Sequence, residues 1–285
     1  MKKVAVIQDL SSFGKCSLTA ALPVLSVMGV QACPLPTAVL SAQTAYDHYF
    51  CQDLTDEMLA FTEHWAQMNA QFDGIQTGFV TGKAQIAHIL QFLNQFQQQH
   101  TTVLIDPVLG DDGEQYKMFS YDLLDQMKAL IKRATIVTPN VTECCLLTDT
   151  DYIKLYQYDE TYALQKIKEA GQKLQAQTNA TVIITGVETR IEGAQYIGNM
   201  IVDETSYMYT PHLYHRQSYS GTGDLFAAVV MGAVMNNQPI TQGVALAQQF
   251  LAQSIAETAK TTESPKAGVA FEKHLHLLMH KYLHN

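Results

Sequence analysis

The sequence predicts an α/β protein built around a mainly parallel sheet. Short apolar runs alternate with longer stretches of helical period along the whole of the 285-residue chain, the pattern of successive βαβ units. Small and polar residues crowd the positions just after the apolar runs, as they do at the ligand-facing ends of parallel strands. Apolar residues make up 47% and charged residues 16%, which supplies a sizeable core and excludes extensive disorder. No Pro/Ser-rich linker and no internal repeat interrupts the pattern, so a single domain over residues 1–285 is expected.

Val4 to Gln8 reads as the first strand. Its apolar run is too short for a signal peptide, although Lys2 and Lys3 precede it. Leu18 to Met28 reads as a helix in spite of Pro23, and Ala32 to Pro36 as a second strand. Met58 to Met68 has helical period, with Leu59, Thr62, Trp65 and Ala66 near one face. Gly74 to Thr77 is a short strand, and Ile86, Ile89, Leu90, Leu93 and Phe96 then recur at helical spacing. Val103 to Ile105 is a strand ending in Asp106-Pro107, and Leu123 to Ile131 mark a helix. Thr135 to Val137 is a strand followed by Pro139-Asn140 and a short helix. A helix over Tyr162 to Leu174, a strand over Val182 to Ile184 and a hairpin or edge pair between Ala194 and Tyr209 follow. The rest is helical: Asp224 to Met235, Val244 to Ile255, and a last helix near His274 to Leu283.

Charge and cysteine content narrow the function. The formal net charge is −9, a poor basis for non-specific binding to nucleic acid or anionic membranes. No apolar run approaches the roughly 18 residues of a membrane span. The five cysteines, Cys16, Cys33, Cys51, Cys144 and Cys145, form no CxxC pair, so neither a disulfide framework nor a zinc site is expected, and a reducing cytoplasm fits. Cys144 and Cys145 read as small buried residues. His276/His280 and His280/His284 are i,i+4 pairs, read as a solvated helix face. The tyrosines from Tyr152 to Tyr162 read as packing rather than a base-stacking platform.

The sharpest local signal is Ser220-Gly221-Thr222-Gly223-Asp224, running into the apolar stretch Leu225 to Met231. Glycines on either side of Thr222 allow a tight, partly left-handed turn, and the helix start that follows suits a phosphate. Asp224, on the first turn, is placed to accept a proton from a hydroxyl. A plain glycine turn before an acidic first-turn residue explains the pentapeptide equally well. The first βα turn, Gln8 to Ser17, contains one glycine, Gly14, so it is no dinucleotide fingerprint, and no P-loop is present. Asn140 and Glu143 have capping-box spacing, the favoured reading, while a carboxylate ordering Mg²⁺ is the alternative. Asp106 carries the same ambiguity, because Asp-Pro also opens turns.

Taken in order, these motifs resemble the pyridoxal kinase family of the ribokinase-like superfamily. They are Val6-Ile7-Gln8, Thr44, Asp106-Pro107-Val108-Leu109-Gly110-Asp111, Thr138-Pro139-Asn140 with Glu143, Ile183-Ile184-Thr185, and Gly221-Thr222-Gly223-Asp224-Leu225-Phe226-Ala227-Ala228. The resemblance spans roughly Val4 to Ile255. It implies a three-layer α/β/α fold without a separate lid domain, and ATP-dependent phosphorylation of the 5′-hydroxymethyl group of a B6 vitamer. Asp224 then resembles the general base, and Gly221, Thr222 and Gly223 the anion hole. Asp9, Thr44 and Phe79 match acceptor-pocket positions. Asp106, Asp111, Tyr116, Thr138, Asn140, Glu143, Thr185 and Gly186 match nucleotide positions, with Asp106 and Glu143 associated with Mg²⁺. A cytoplasmic homodimer is implied, and a monovalent-cation requirement is left open. Asp9 stands where the family usually carries Ser or Thr, Ala45 where it carries Gln or Gly, and Phe79 where it carries an aromatic hydroxyl. Asp9 with Ser11, Ser12 and Gly14 resembles the related hydroxymethylpyrimidine kinases of thiamine synthesis, which form the alternative reading. A non-catalytic nucleotide-binding regulator on the same fold is the remote one.

Overall fold

The computed structural model describes residues 1–117, 119–213, 218–261 and 264–279. It has the α/β architecture the sequence predicts, with a mostly parallel sheet flanked by helices on both sides. The chain divides into two compact units, Met1–Thr102 with Arg216–Asn285, and Val103–His215.

In the first unit β1 (Lys3–Ser11), α1 (Ser17–Val27), β2 (Gln31–Leu40), β3 (Cys51–Asp53), α2 (Glu57–Gln67), β4 (Gly74–Thr77) and α3 (Lys83–Phe96) follow one another. β1 runs parallel to β2 on one side and to β4 on the other, and β3 adds antiparallel to Ala38–Leu40 of β2. Val4 to Ile7 have no exposed surface, so this four-residue apolar run is core on both faces. β1 is longer than its apolar run. After a register shift between Gln8 and Leu10 it pairs again, Leu10 with Val39 and Ser11 with Leu40, which places Asp9 within the strand. β2 likewise extends past its predicted end, and its Pro34 and Pro36 hold register with Val6 and Gln8. Pro23 lies inside α1, as predicted. On α3, Ile86, Ile89, Phe92, Leu93 and Phe96 are buried. The Phe92 and Phe96 rings pack tilted against each other with centroids 4.5 Å apart, and both contact Phe72.

The second unit contains β5 (Thr102–Ile105), a small hairpin of β6 (Gly110–Asp111) and β7 (Glu114–Gln115), α4 (Tyr121–Leu130), β8 (Ile136–Val137), α5 (Val141–Thr148), α6 (Tyr152–Leu155) and α7 (Glu160–Thr178). It ends with β9 (Thr181–Ile191), β10 (Ala194–Val202) and β11 (Tyr207–Leu213). β8 is parallel to β5 and β9, while β9, β10 and β11 form an antiparallel meander. The predicted edge pair is thus present, but β9 does not stop at Thr185-Gly186. Gly186, at φ 69°, lies where β9 and β10 shift register, and the strand continues to Ile191. Cys144 and Cys145 are buried on α5, as predicted.

The chain then returns to the first unit with α8 (Thr222–Met235), α9 (Ile240–Thr258) and α10 (His276–Met279). Leu225 to Ala233 are buried on every side of α8, as an all-apolar helix requires. The last helix predicted from His274 is a 3-10 turn at Phe271–His274 followed by the short α10. Residues 280–285, with His280 and His284, lie outside the described residues.

Candidate active site

In the first unit β1, the β1–α1 turn and the start of α8 bring Asp9, Ser17 and Asp224 together. Asp9 is buried, and Ser11 Oγ donates to its Oδ2 at 2.6 Å. The Ser17 hydroxyl bonds it as well; burial nevertheless holds the Asp9 pKa above its usual value. Asp224 retains some exposed surface yet is densely surrounded by protein. That burial pushes its pKa from 3.8 up to about 7, against the Ser17 N–H that donates to its carboxylate and with the help of the Asp9 charge. Ser17 presents this N–H from a strained turn, in which Lys15 and Ser17 both have left-handed φ, 47° and 50°. The Cys16 thiol, between the same acids, is raised by burial and by both charges, which makes it a poor nucleophile.

Gly221 has φ +79°, and a Cβ there would lie 2.2 Å from the Lys15 carbonyl oxygen. Only glycine lets the start of α8 approach the β1–α1 turn this closely. α8 has no side-chain cap, so its first-turn N–H groups are presented for an external acceptor. The Thr222 hydroxyl donates to Tyr219 O at 3.0 Å and fixes the turn.

Gln43 was not singled out by sequence reasoning. It is buried, its Nε2 donates to Ser220 Oγ and Lys266 O, both at 3.0 Å, and its Oε1 accepts the Ala45 N–H at 2.9 Å. It therefore ties the segment carrying Thr44 to the residue before Gly221. Phe79 is half-buried, and its carbonyl accepts from Thr37 Oγ1 at 3.0 Å.

In the second unit the predicted nucleotide residues gather around the start of α5. The capping box is formed: Asn140 Oδ1 accepts the Glu143 N–H and Glu143 Oε2 accepts the Asn140 N–H, both at 2.9 Å. Glu143 Oε1 accepts the Leu109 N–H at 3.0 Å. Asn140 Nδ2 donates to Gly110 O at 2.7 Å, and Gly113 N–H to Thr142 Oγ1 at 2.8 Å. One helix start thus holds the hairpin that carries Asp111, with Tyr116 just beyond it. Burial pushes the Glu143 pKa to about 7 against these backbone bonds, and burial with the adjacent Asp112 raises that of Asp111. Thr185 pairs with Asn140 through an isolated bridge.

Three features test whether a nucleotide with Mg²⁺ fits here. Thr138 Oγ1 is buried without a partner, as a group awaiting a polar ligand would be. Both Glu143 oxygens already accept backbone N–H groups, so a cation would reach it through water. Among the described residues no group of three or more His, Cys, Asp or Glu could hold a metal by itself. Mg²⁺ brought by ATP phosphates keeps several waters and needs only one or two carboxylates, so this residue set fits it.

The sequence profile of the family described as phosphomethylpyrimidine kinase matches residues 12–268. The chain belongs to the pyridoxal kinase and phosphomethylpyrimidine kinase family. The kinase is similar to the pyridoxal kinase of Lactobacillus plantarum, with 33% identity and a TM-score of 0.87 over 100% of this chain and 99% of that one. It is also similar to a Bacteroides thetaiotaomicron protein described as a phosphomethylpyrimidine kinase, in an orthorhombic crystal form with pyridoxal. There the identity is 36% and the TM-score 0.89, covering 97% and 95% of the two chains. Bovine (Bos taurus) pyridoxal kinase is 27% identical over 224 residues, 73% of this chain and 69% of that protein. No helix among the described residues is long and apolar enough to cross a membrane.

Proposed function

We propose that this kinase transfers the γ-phosphoryl group of ATP to the 5′-hydroxymethyl group of a B6 vitamer. One observation carries the reading: a carboxyl with a pKa of about 7, Asp224, on the first turn of an uncapped helix behind a glycine no other residue can replace. Phosphoryl transfer needs positioning and charge neutralisation more than covalent chemistry. Asp224 accepts the hydroxymethyl proton as the alcohol attacks, and a base that titrates near neutral pH suits that task. The Gly221, Thr222 and Gly223 N–H groups steady the negative charge on the group in transit. Asp9, Thr44 and Phe79 hold the acceptor. Asp106, Asp111, Tyr116, Thr138, Asn140, Glu143, Thr185 and Gly186 serve ATP. Mg²⁺, held by Asp106 and through water by Glu143, would offset the charge of ATP, which an acidic protein repels. The family profile runs through both compact units, which supports reading them as one kinase domain. A homodimer is carried over from the resemblance alone, and the cytoplasmic placement draws on the cysteine pattern.

The second reading, hydroxymethylpyrimidine phosphorylation, draws on Asp9. Its buried carboxyl suits a ring nitrogen or an amino group, which favours pyridoxine, pyridoxamine or the aminopyrimidine over pyridoxal. One contact of this kind is worth only a few kcal/mol, so one pocket can accept either heterocycle. The test is coupled ADP release with pyridoxal, pyridoxine, pyridoxamine and the aminopyrimidine, on the wild type and Asp9→Ser. The highest kcat/KM is expected on a vitamer; a higher value on the aminopyrimidine transfers the assignment to thiamine synthesis. Release with none of the four points to a non-catalytic regulator. Identical substrate ratios in the two proteins remove Asp9 from specificity.

A further inference from the structure

Gln85 lies on the first turn of α3 with no exposed surface. Its Nε2 donates to Thr37 O at 2.7 Å and to Thr55 Oγ1 at 3.1 Å, and its Oε1 accepts the Thr81 N–H at 2.8 Å. One amide thereby joins β2, the segment after β3, and the 78–82 turn between β4 and α3. From the third helical position it reaches back past the N-cap Gly82 to the Thr81 N–H and so ties the helix start to the turn ahead of it. Thr37 grips the same turn from the other side through its hydroxyl on Phe79 O. Thr81 Oγ1 is bonded to Asp53 of β3. A buried amide with both of its polar atoms engaged specifies one geometry, because any shift strands a polar group away from water.

We propose that Gln85 is a positioning residue for the acceptor: it fixes the 78–82 turn, and through it the ring of Phe79, without touching substrate. The inference rests on the reading that Phe79 contacts the acceptor. Gln85→Met keeps the side-chain length and removes all three bonds. With the acceptor of highest kcat/KM, its KM should rise about tenfold, the equivalent of one buried hydrogen bond. kcat should stay within about twofold and the KM for ATP should not move. Hydrogen exchange at the Thr81 amide should accelerate about tenfold or more. Thr37→Val should give the same selective rise in KM. The double variant should be little worse than the more affected single one, because both act through one turn.

Phe79→Ala separates the two ways of failing. If it leaves the acceptor KM unchanged, the reading of Phe79 is wrong and the proposal falls with it. If it raises that KM while Gln85→Met does not, the proposal alone is overturned. Equal losses in kcat and in both KM values would mark Gln85 as generally structural and also overturn it. Should Gln85→Met fail to fold, Gln85→Glu retains the acceptor for Thr81, loses both donor bonds, and is judged by the same readouts.

Discussion

Replacing Asp224 by Asn should make the protein more stable and nearly inactive. The carboxyl titrates at about 7 in the folded chain against 3.8 as its ordinary value. Folding therefore favours the protonated form. Below pH 4 both states hold the proton and no penalty exists. As pH rises from about 4 through 7 the unfolded chain releases it first, and stability falls. Above 7 the full penalty is present. At about 1.4 kcal/mol per pH unit, the interval bounds it at about 4 kcal/mol. Asp224 keeps some exposed surface, and Asn retains an oxygen for the Ser17 N–H, so a gain of about 1–3 kcal/mol at pH 8 is expected. In a chain of this size that raises the melting midpoint by a few degrees, at about 2–4 °C per kcal/mol. Melting of both proteins between pH 5 and pH 8.5 reads the effect, while ADP release should fall at least about a hundredfold. The wild-type kcat/KM should have an acid limb near pH 7. A variant no more stable than the wild type at pH 8, or a gap that does not close toward pH 5, would refute the placement of a buried, readily neutralised acid. Near-normal kcat in the variant would reject Asp224 as the base.

Three further substitutions probe the framework around the acids. Gly221→Ala meets both a left-handed φ and a backbone atom 2.2 Å from the new Cβ, so it should lower kcat at least about tenfold and depress melting. Gly186→Ala, left-handed with open space around its Cβ, should lose only about 1 kcal/mol; equal effects at the two sites would contradict the close approach at Gly221. Glu143→Ala leaves the Leu109 and Asn140 N–H groups without an acceptor and should destabilise by at least about 2 kcal/mol. An unchanged melting midpoint there would mean that the Asp111 hairpin is held by other bonds.

The sequence carried the long elements well: α3 and α4 lie where their periodic apolar spacing places them, and α8 where an unbroken apolar run follows the glycine turn. Elements made by pairing rather than by composition were unreadable. β3 is three exposed residues that become a strand only against Ala38–Leu40. The β6–β7 hairpin depends on bonds from α5. The ends of β1 and β9 were read short for a related reason, since both continue through irregular pairing that leaves no periodic trace. Within the candidate site, the Gly221–Asp224 signature stood out because its glycines and acid are chemically distinctive. Gln43 and Gln85 did not, because a neutral amide announces nothing until the fold supplies its partners.

Pro34 and Pro36 have a consequence beyond the register of β2. The ladder to β1 persists across both residues, so the amide hydrogens they lack are the ones that would have pointed away from it. β3 shields only Ala38–Leu40. A stray extended peptide approaching upstream of β3 finds carbonyl oxygens without the alternating donors it would need to zip on. The margin of the molecule is thereby defended against runaway polymerisation by two rings that cannot donate.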